Sequence, residues 1–305
     1  MEYEIYHDES KEWWYRHAFL YVPLDKKDAI YNYLISIKNK INPAVKELSF
    51  KDIKSKGKHR YPPKLTHDKP KIIKYRLSYI LATMHQQKYE KFKPQYLCIE
   101  KQITTLEELY NVKLVILNVK DDHVNMYDSI WTLEKIETTM RIGLKWWLHW
   151  LFKEEENISI KNFYIDWHEH YKLYWDRDSL DFNRIIGQLK KELKSWITLD
   201  ENIEIISTPK RDGNFNEINR LFIQITDLLL WATRFLNQDN DPTHVKYKVS
   251  EPIKNLLERN WDYYNIESRF FKWFMLSEVY IENNEWVFNK ITCNKQSNIE
   301  QKSLF

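Results

Sequence analysis

Glycine is scarce in this chain, with four in 305 residues. That scarcity argues against glycine-rich phosphate cradles and against a fold made mostly of tight hairpins. Neither a P-loop nor a dinucleotide fingerprint is present. Cysteine is scarcer still. Cys98 and Cys293 lie far apart, show no metal-site spacing and suit a reducing compartment, so a cytoplasmic protein is expected. The opening Met1-Glu2-Tyr3-Glu4 is acidic and lacks the apolar core of a secretory signal. Long apolar runs are missing too. The best candidate, Leu221 to Leu236, is interrupted by Gln224, Asp227 and Arg234 and is too short to span a bilayer comfortably, so it reads as a buried helix and no membrane partner is expected. There is no internal repeat and no low-complexity tract.

What is present is ordinary globular material: 43% apolar and 30% charged residues, enough for one large domain or two small ones. The net charge of +3 is unevenly spread. Nine Lys or Arg against two Asp give Lys51 to Lys74 a local +7, which leaves the remainder at −4. A basic segment on a mildly acidic body suits a phosphate-backbone partner, although such a run is also what a solvated loop looks like.

Period-two and period-3.6 patterns divide the chain into elements. Glu2 to His7 and Trp13 to Val22 read as a strand hairpin closed by Pro23. Ala29, Ile30, Tyr33, Leu34 and Ile37 mark a helix over Lys26 to Lys38. Val45 to Ile53 is short and extended. The basic segment, with Gly57, Pro62 and Pro63, is a loop. Ile73, Leu77, Ile80, Leu81 and Met84 form the stripe of a helix over Lys71 to Gln87. Tyr96 to Glu100 and Leu114 to Val119 have strand length, though the first fits a helix equally well. A long helix capped by Asp128 or Ser129 runs to Phe152. Trp146, Trp147 and Trp150 crowd its end, and burial habit assigns them to packing rather than base stacking. Ile160 to Trp167 is a strand, with Phe163, Ile165 and Trp167 on one face and Tyr164, Asp166 and His168 on the other. Asp181 caps a helix to Trp196, Ile203 to Ile206 is a short strand, and Asn216 or Asn219 leads into the helix ending near Leu236. A more helical, aromatic tail follows to Phe288.

Four acids stand out because each sits in an apolar stretch. Asp8 follows Tyr3-Glu4-Ile5-Tyr6 at a strand end, Glu47 lies in the short extended segment, Asp166 interrupts Asn162-Phe163-Tyr164-Ile165, and Asp227 lies mid-helix. A carboxylate there is costly unless something satisfies it. A buried ion pair is the plain structural solution, with Arg234 the local candidate for Asp227. The other solution gathers Asp8, Asp166 and Asp227 at one sheet edge around a cation, for which Mg²⁺ or Mn²⁺ suits an all-oxygen set. Two such ions about 4 Å apart serve in-line attack on a phosphodiester. Glu9 alternates to the opposite strand face from Asp8 and ranks lower. His168-Glu169-His170 lacks the spacing of a helical zinc site; on a strand its two histidines would share a face beside Asp166.

Tyr6-x-Asp8-Glu9-Ser10, Glu47-Leu48 with a lysine downstream, Asp166 at a strand end, and Gln224-Ile225-Thr226-Asp227-Leu228 in a late helix together resemble the family filed as domain of unknown function 3800. That family resembles the ribonuclease H-like (retroviral integrase) superfamily. The similarity spans about residues 3 to 236. It departs from the family after the late Asp-Leu, where Leu229, Leu230 and Trp231 replace small residues, and in the opening motif, which lacks the glycine that often continues it. The resemblance implies an α/β fold: a ribonuclease H-like mixed sheet flanked by helices, with a helical insertion and a helical C-terminal extension. The nuclease domain would be residues 1–238, with the basic loop at 51–74 and the insertion at about 71–153; the extension would be 239–305. The implied activity is metal-dependent cleavage of DNA or RNA with two Mg²⁺ or Mn²⁺ ions. Asp8, Asp166 and Asp227 would be ligands, Glu47 a fourth ligand or a positioner of the attacking water, and Lys51 a contact to the scissile phosphate or to Glu47. Members look like parts of mobile-element or phage-defence loci, which implies nucleic acid and a defence-system protein as partners. Two other readings keep the fold: an inactive nucleic-acid-binding or assembly module, and a transposase-like strand transferase.

Overall fold

A computed structural model describes residues 1–10, 15–41, 112–119, 133–152, 154–166, 182–208, 216–237, 274–282, 285–290 and 300–302. Its strands are β1 (Glu2–Ser10), β2 (Tyr15–Pro23), β3 (Lys113–Val119), β4 (Ile158–Asp166), β5 (Ile197–Thr208), β6 (Phe274–Glu282), β7 (Glu285–Lys290) and β8 (Glu300–Lys302). The helices are α1 (Lys27–Ile41), α2 (Leu133–Leu151), α3 (Phe182–Glu192) and α4 (Glu217–Asn237). The strands make one mixed sheet in the order β5-β4-β1-β2-β3-β6-β7-β8, flanked by helices. No helix among the described residues is long and apolar enough to cross a membrane.

β1, β2 and β3 form an antiparallel meander, with Tyr6 opposite Leu20 and Phe19 opposite Val115. β4 joins β1 in parallel and β5 joins β4 in parallel, so the chain returns across the sheet after β3. β3 is buried at every position, which fits its near-continuous apolar sequence Lys-Leu-Val-Ile-Leu-Asn-Val between two neighbours.

Alternation gives the sheet two unlike faces. Tyr3, Ile5, Phe19, Tyr21, Val115, Leu117, Phe163 and Ile165 point into one hydrophobic cluster with Met140, Leu144, Trp147 and Leu151 of α2 and Ile185 and Leu189 of α3. Trp147 is buried there, and Trp146 stacks on Trp150 against the same cluster with ring centroids 5.5 Å apart. The tryptophans are packing, as their burial habit predicts. Gly143 lies close against the sheet, since a Cβ there would collide with Leu117 Cδ1. The other face carries α4, which packs on β1, β2, β4 and β5 and touches α1.

α4 starts as its sequence demands. Asn216 Oδ1 accepts the Ile218 N–H at 2.9 Å, and Glu217 stands in the first turn. Its residues 221–230 are buried on every side. Thr226 and Thr233 are accommodated because each hydroxyl donates to the carbonyl four residues earlier, Phe222 O and Leu229 O, both at 2.8 Å.

Several expectations change. The strand expected at Ile203 to Ile206 is Ile197–Thr208, and the helix expected to reach Trp196 stops at Glu192. Asp200-Glu201-Asn202 hides that strand's alternation. Asp200 Oδ1 accepts the Asn202 N–H at 3.0 Å, and the β4–β5 register skips there, from Ile160↔Leu199 to Asn162↔Glu204. The expected helical extension is also corrected: the described part of 239–305 is three strands, of which β6 lies parallel to β3 and β7 returns antiparallel. The two-residue Asn283-Asn284 link between β-rich runs is a hairpin signal that outweighs the tail's aromatic periodicity. Leu114 to Val119, counted within a helical insertion, is the sheet's own β3. The segments expected at Val45 to Ile53, Lys71 to Gln87 and Tyr96 to Glu100 lie outside the described residues.

Candidate functional site

β1 and β4 run side by side with Tyr6 beside Tyr164 and His7 beside Ile165. The parallel pairing ends at His7 and Ile165, so Asp8 and Asp166 are the next residue of each strand. Both lie two residues beyond a tyrosine whose ring is on the α4 face: Tyr6 packs on Phe222 of α4 at 5.1 Å and stacks on Tyr164 at 4.8 Å. Period-two alternation therefore puts both carboxylates on that face, and Glu9 on the other. Asp8 and Asp166 are 2% and 5% exposed.

Asp227 rides on α4, the helix that covers this face, and is 4% exposed. It comes two turns after Asn219, which meets the Tyr6 hydroxyl, so it lies about 12 Å further along the helix axis. Among the described residues, no group of three or more His, Cys, Asp or Glu side chains could hold a metal ion. Folding thus sets Asp8 and Asp166 just past a shared stretch of neighbouring strands and lays Asp227's helix on their face without closing a three-carboxylate group. Glu47, Lys51, the basic segment, His168 and His170 lie outside the described residues.

Behind the aspartates is a buried polar network. Glu4, 3% exposed, receives Lys27 Nζ at 2.5 Å, the Tyr6 hydroxyl at 2.9 Å, Asn162 Nδ2 at 3.1 Å and the Tyr164 hydroxyl at 3.1 Å. Lys27 also stands 5.8 and 5.3 Å from the centroids of the Tyr6 and Tyr164 rings. Burial pushes the Glu4 carboxyl up, but Lys27, Asn162 and Tyr6 outweigh it and hold the group below its ordinary value. Burial first, and then the Glu4 charge, drive the Tyr6 and Tyr164 hydroxyls well above theirs, so both stay protonated and donate.

Arg16 is the cation that sequence reading missed. It is 4% exposed and pairs across the β1–β2 ladder with Ser10, diagonal to Asp8, while its Nε donates to Asn118 Oδ1 of β3. In the row Arg16, Ala18, Leu20, Val22 it is a charge among apolar residues, the same signal that marks Asp8. His7 and His17 were also missed. They lie fully buried on the opposite face, with His7 Nε2 2.9 Å from His17 Nδ1 and the rings against Phe19 and Phe163. One ring nitrogen must donate and the other accept, so the pair cannot be doubly charged with this bond intact.

No protein-family model, curated protein or solved structure matches this chain.

Proposed function

We propose that this protein is a metal-dependent nuclease with a ribonuclease H-like core, acting on DNA or RNA. The observation that carries the proposal is that Asp8 and Asp166 each directly follow the last paired residues of two neighbouring parallel strands, on the face covered by the helix that bears Asp227. The mixed sheet flanked by helices is in keeping with the fold the family resemblance implies.

The chemistry of the two strand aspartates suits a cation. Adjacent carboxylates in a buried setting repel, and a hard divalent cation relieves that repulsion with oxygen ligands. In this reading Asp8 and Asp166 hold Mg²⁺ or Mn²⁺, and Asp227 and Glu47 complete the ligand set. Bound there, the ions would supply a nucleophile from water at neutral pH and neutralise the leaving oxygen. Lys51 and the basic segment after it would hold the backbone phosphates. Mobile-element or phage-defence work, with a protein partner, remains part of the proposal through the family resemblance.

Incubation with Mg²⁺ or Mn²⁺ on DNA, RNA and hybrid substrates is the test. Wild type should cleave at least one of them, and Asp8→Asn and Asp166→Asn should each lower the rate about a hundredfold or more. Equal cleavage by wild type and both variants would remove the site assignment.

A second reading, a nucleic-acid-binding or assembly module without turnover, is favoured by one observation. Asp8, Asp166 and Asp227 are all at most 5% exposed, and Arg16 shares the face. Steeply salt-dependent binding with no cleavage by wild type would select it.

A further inference from the structure

We infer that Tyr6, Tyr164 and Glu4 are positioning residues that set the geometry of the aspartates. This rests on the reading above, in which Asp8, Asp166 and Asp227 are the working groups. Each tyrosine precedes its aspartate by two residues on the same strand face, so whatever fixes the tyrosine fixes the direction of the strand end beyond it. The two rings stack 4.8 Å apart with planes 9° from parallel, and both hydroxyls converge on one carboxylate, Tyr6 on Glu4 Oε2 and Tyr164 on Oε1. That clamps β1 to β4 by side chains as well as by the ladder. The third element reaches the same point: Asn219 of α4 puts its side-chain amide 2.9 Å from the Tyr6 oxygen, whose single proton serves Glu4. Lys27 closes the assembly from α1, neutralising Glu4 and covering both rings.

Two of the elements that bear aspartates, β1 and β4, are therefore joined through one buried carboxylate, and α4 meets them at Tyr6, two residues before Asp8 and about 12 Å along the helix from Asp227. Outer partners of this kind orient ligands without touching the ion, and their loss typically costs about 10–100-fold in metal affinity or activity. A buried network centred on one carboxylate with four donors is also rigid, which a ligand set requires.

The experiment compares Tyr6→Phe and Tyr164→Phe, which keep the ring stack and lose only a hydroxyl, with Tyr21→Phe. Tyr21 is fully buried on the opposite face, and its hydroxyl makes no hydrogen bond among the described residues. Two readouts are taken: residue-resolved amide exchange of the metal-free protein, and the Mn²⁺ concentration for half-maximal cleavage. Both network variants should speed exchange about tenfold around residues 8, 166 and 227 while α2 stays protected. They should also raise the half-maximal Mn²⁺ about tenfold with little change in the saturated rate. Tyr21→Phe should do neither. Localised exchange in a wild type that shows no metal-dependent cleavage keeps the positioning inference and removes the nuclease reading. Exchange that is unchanged, or faster uniformly across the chain, overturns the inference whatever the metal does.

Discussion

The two faces of the sheet are both buried but are built on opposite principles. Against α2 and α3 the strands present Tyr3, Ile5, Phe19, Val115, Leu117, Phe163 and Ile165, and cohesion comes from apolar area and close packing. Against α4 the same strands present Glu4, Tyr6, Asp8, Ser10, Arg16, Asn118, Asn162, Tyr164 and Asp166, interleaved with Ala18, Leu20, Leu114 and Ile116. A polar face of that density makes sense only if its groups satisfy one another, and around Glu4 they do. Apolar packing tolerates local error, whereas a charge network fails when one member is removed. A sheet that needed only stability would use the apolar solution twice, so the polar face is where function is to be sought.

The comparison is broken most sharply by paired truncations. Glu4→Ala should cost about 3–5 kcal/mol, because it strands the Lys27 charge and two tyrosine hydroxyls in a buried setting. Phe163→Ala on the dry face should cost a similar amount, about 3–5 kcal/mol, for lost transfer energy and a cavity. Urea denaturation measures both. The rescues should differ: adding Lys27→Met to a Glu4→Leu background should recover most of the polar-face loss, because the uncompensated charge goes with it. No single partner change should restore Phe163→Ala.

A smaller effect is expected at Gly143. Placing a methyl against the fully buried Leu117 should cost about 1–3 kcal/mol of overpacking, against about 0.5–1 kcal/mol gained in helix propensity. The melting temperature of Gly143→Ala should fall, and Leu117→Val in the same chain should recover part of the fall.

The smallest expected effects separate the faces by pH. Burial, with Lys194 and Lys145 nearby, lowers the His149 imidazole to about 4, and its neutral Nε2 accepts the Lys194 N–H at 3.1 Å, tying α2 to the turn before β5. A base held neutral in the fold stabilises fully above its unfolded value near 6.5; that contribution shrinks as pH falls toward about 4. Glu4 is a carboxyl held below its ordinary 4.5, so its contribution is complete above 4.5 and disappears as pH falls through the lower folded value. Stability measured from pH 7 to 3 should decline in two stages. His149→Phe should flatten only the first and Glu4→Gln only the second.

Much of the sheet was legible in the sequence. Glu2 to His7, Leu114 to Val119, Ile160 to Trp167 and the helix over Leu221 to Leu236 were identified by pattern, and each is observed with bounds moved by a few residues. The assignment of Phe163 and Ile165 to one face and Tyr164 and Asp166 to the other held, because strand alternation is local geometry. The tail misled because aromatic residues fit either period, and β5 misled because Asp200 to Asn202 break its alternation. No local pattern marks Glu4 as a buried hub, since an acid near the start of a strand carries no periodic signal of its own. Only the fold shows that Lys27, Asn162 and Tyr164 surround it.

The sequence by itself determined which residues alternate, which helix is buried all round, and that Asp8, Asp166 and Asp227 interrupt apolar elements, since these follow from side-chain periodicity and the cost of burying charge. Tertiary structure alone decided that β4 lies in parallel beside β1, with Asp8 and Asp166 each following its last paired residues. The physical reason is that strand neighbours are chosen by ladder pairing and crossover between segments more than 150 residues apart, and nothing in a local pattern encodes that choice.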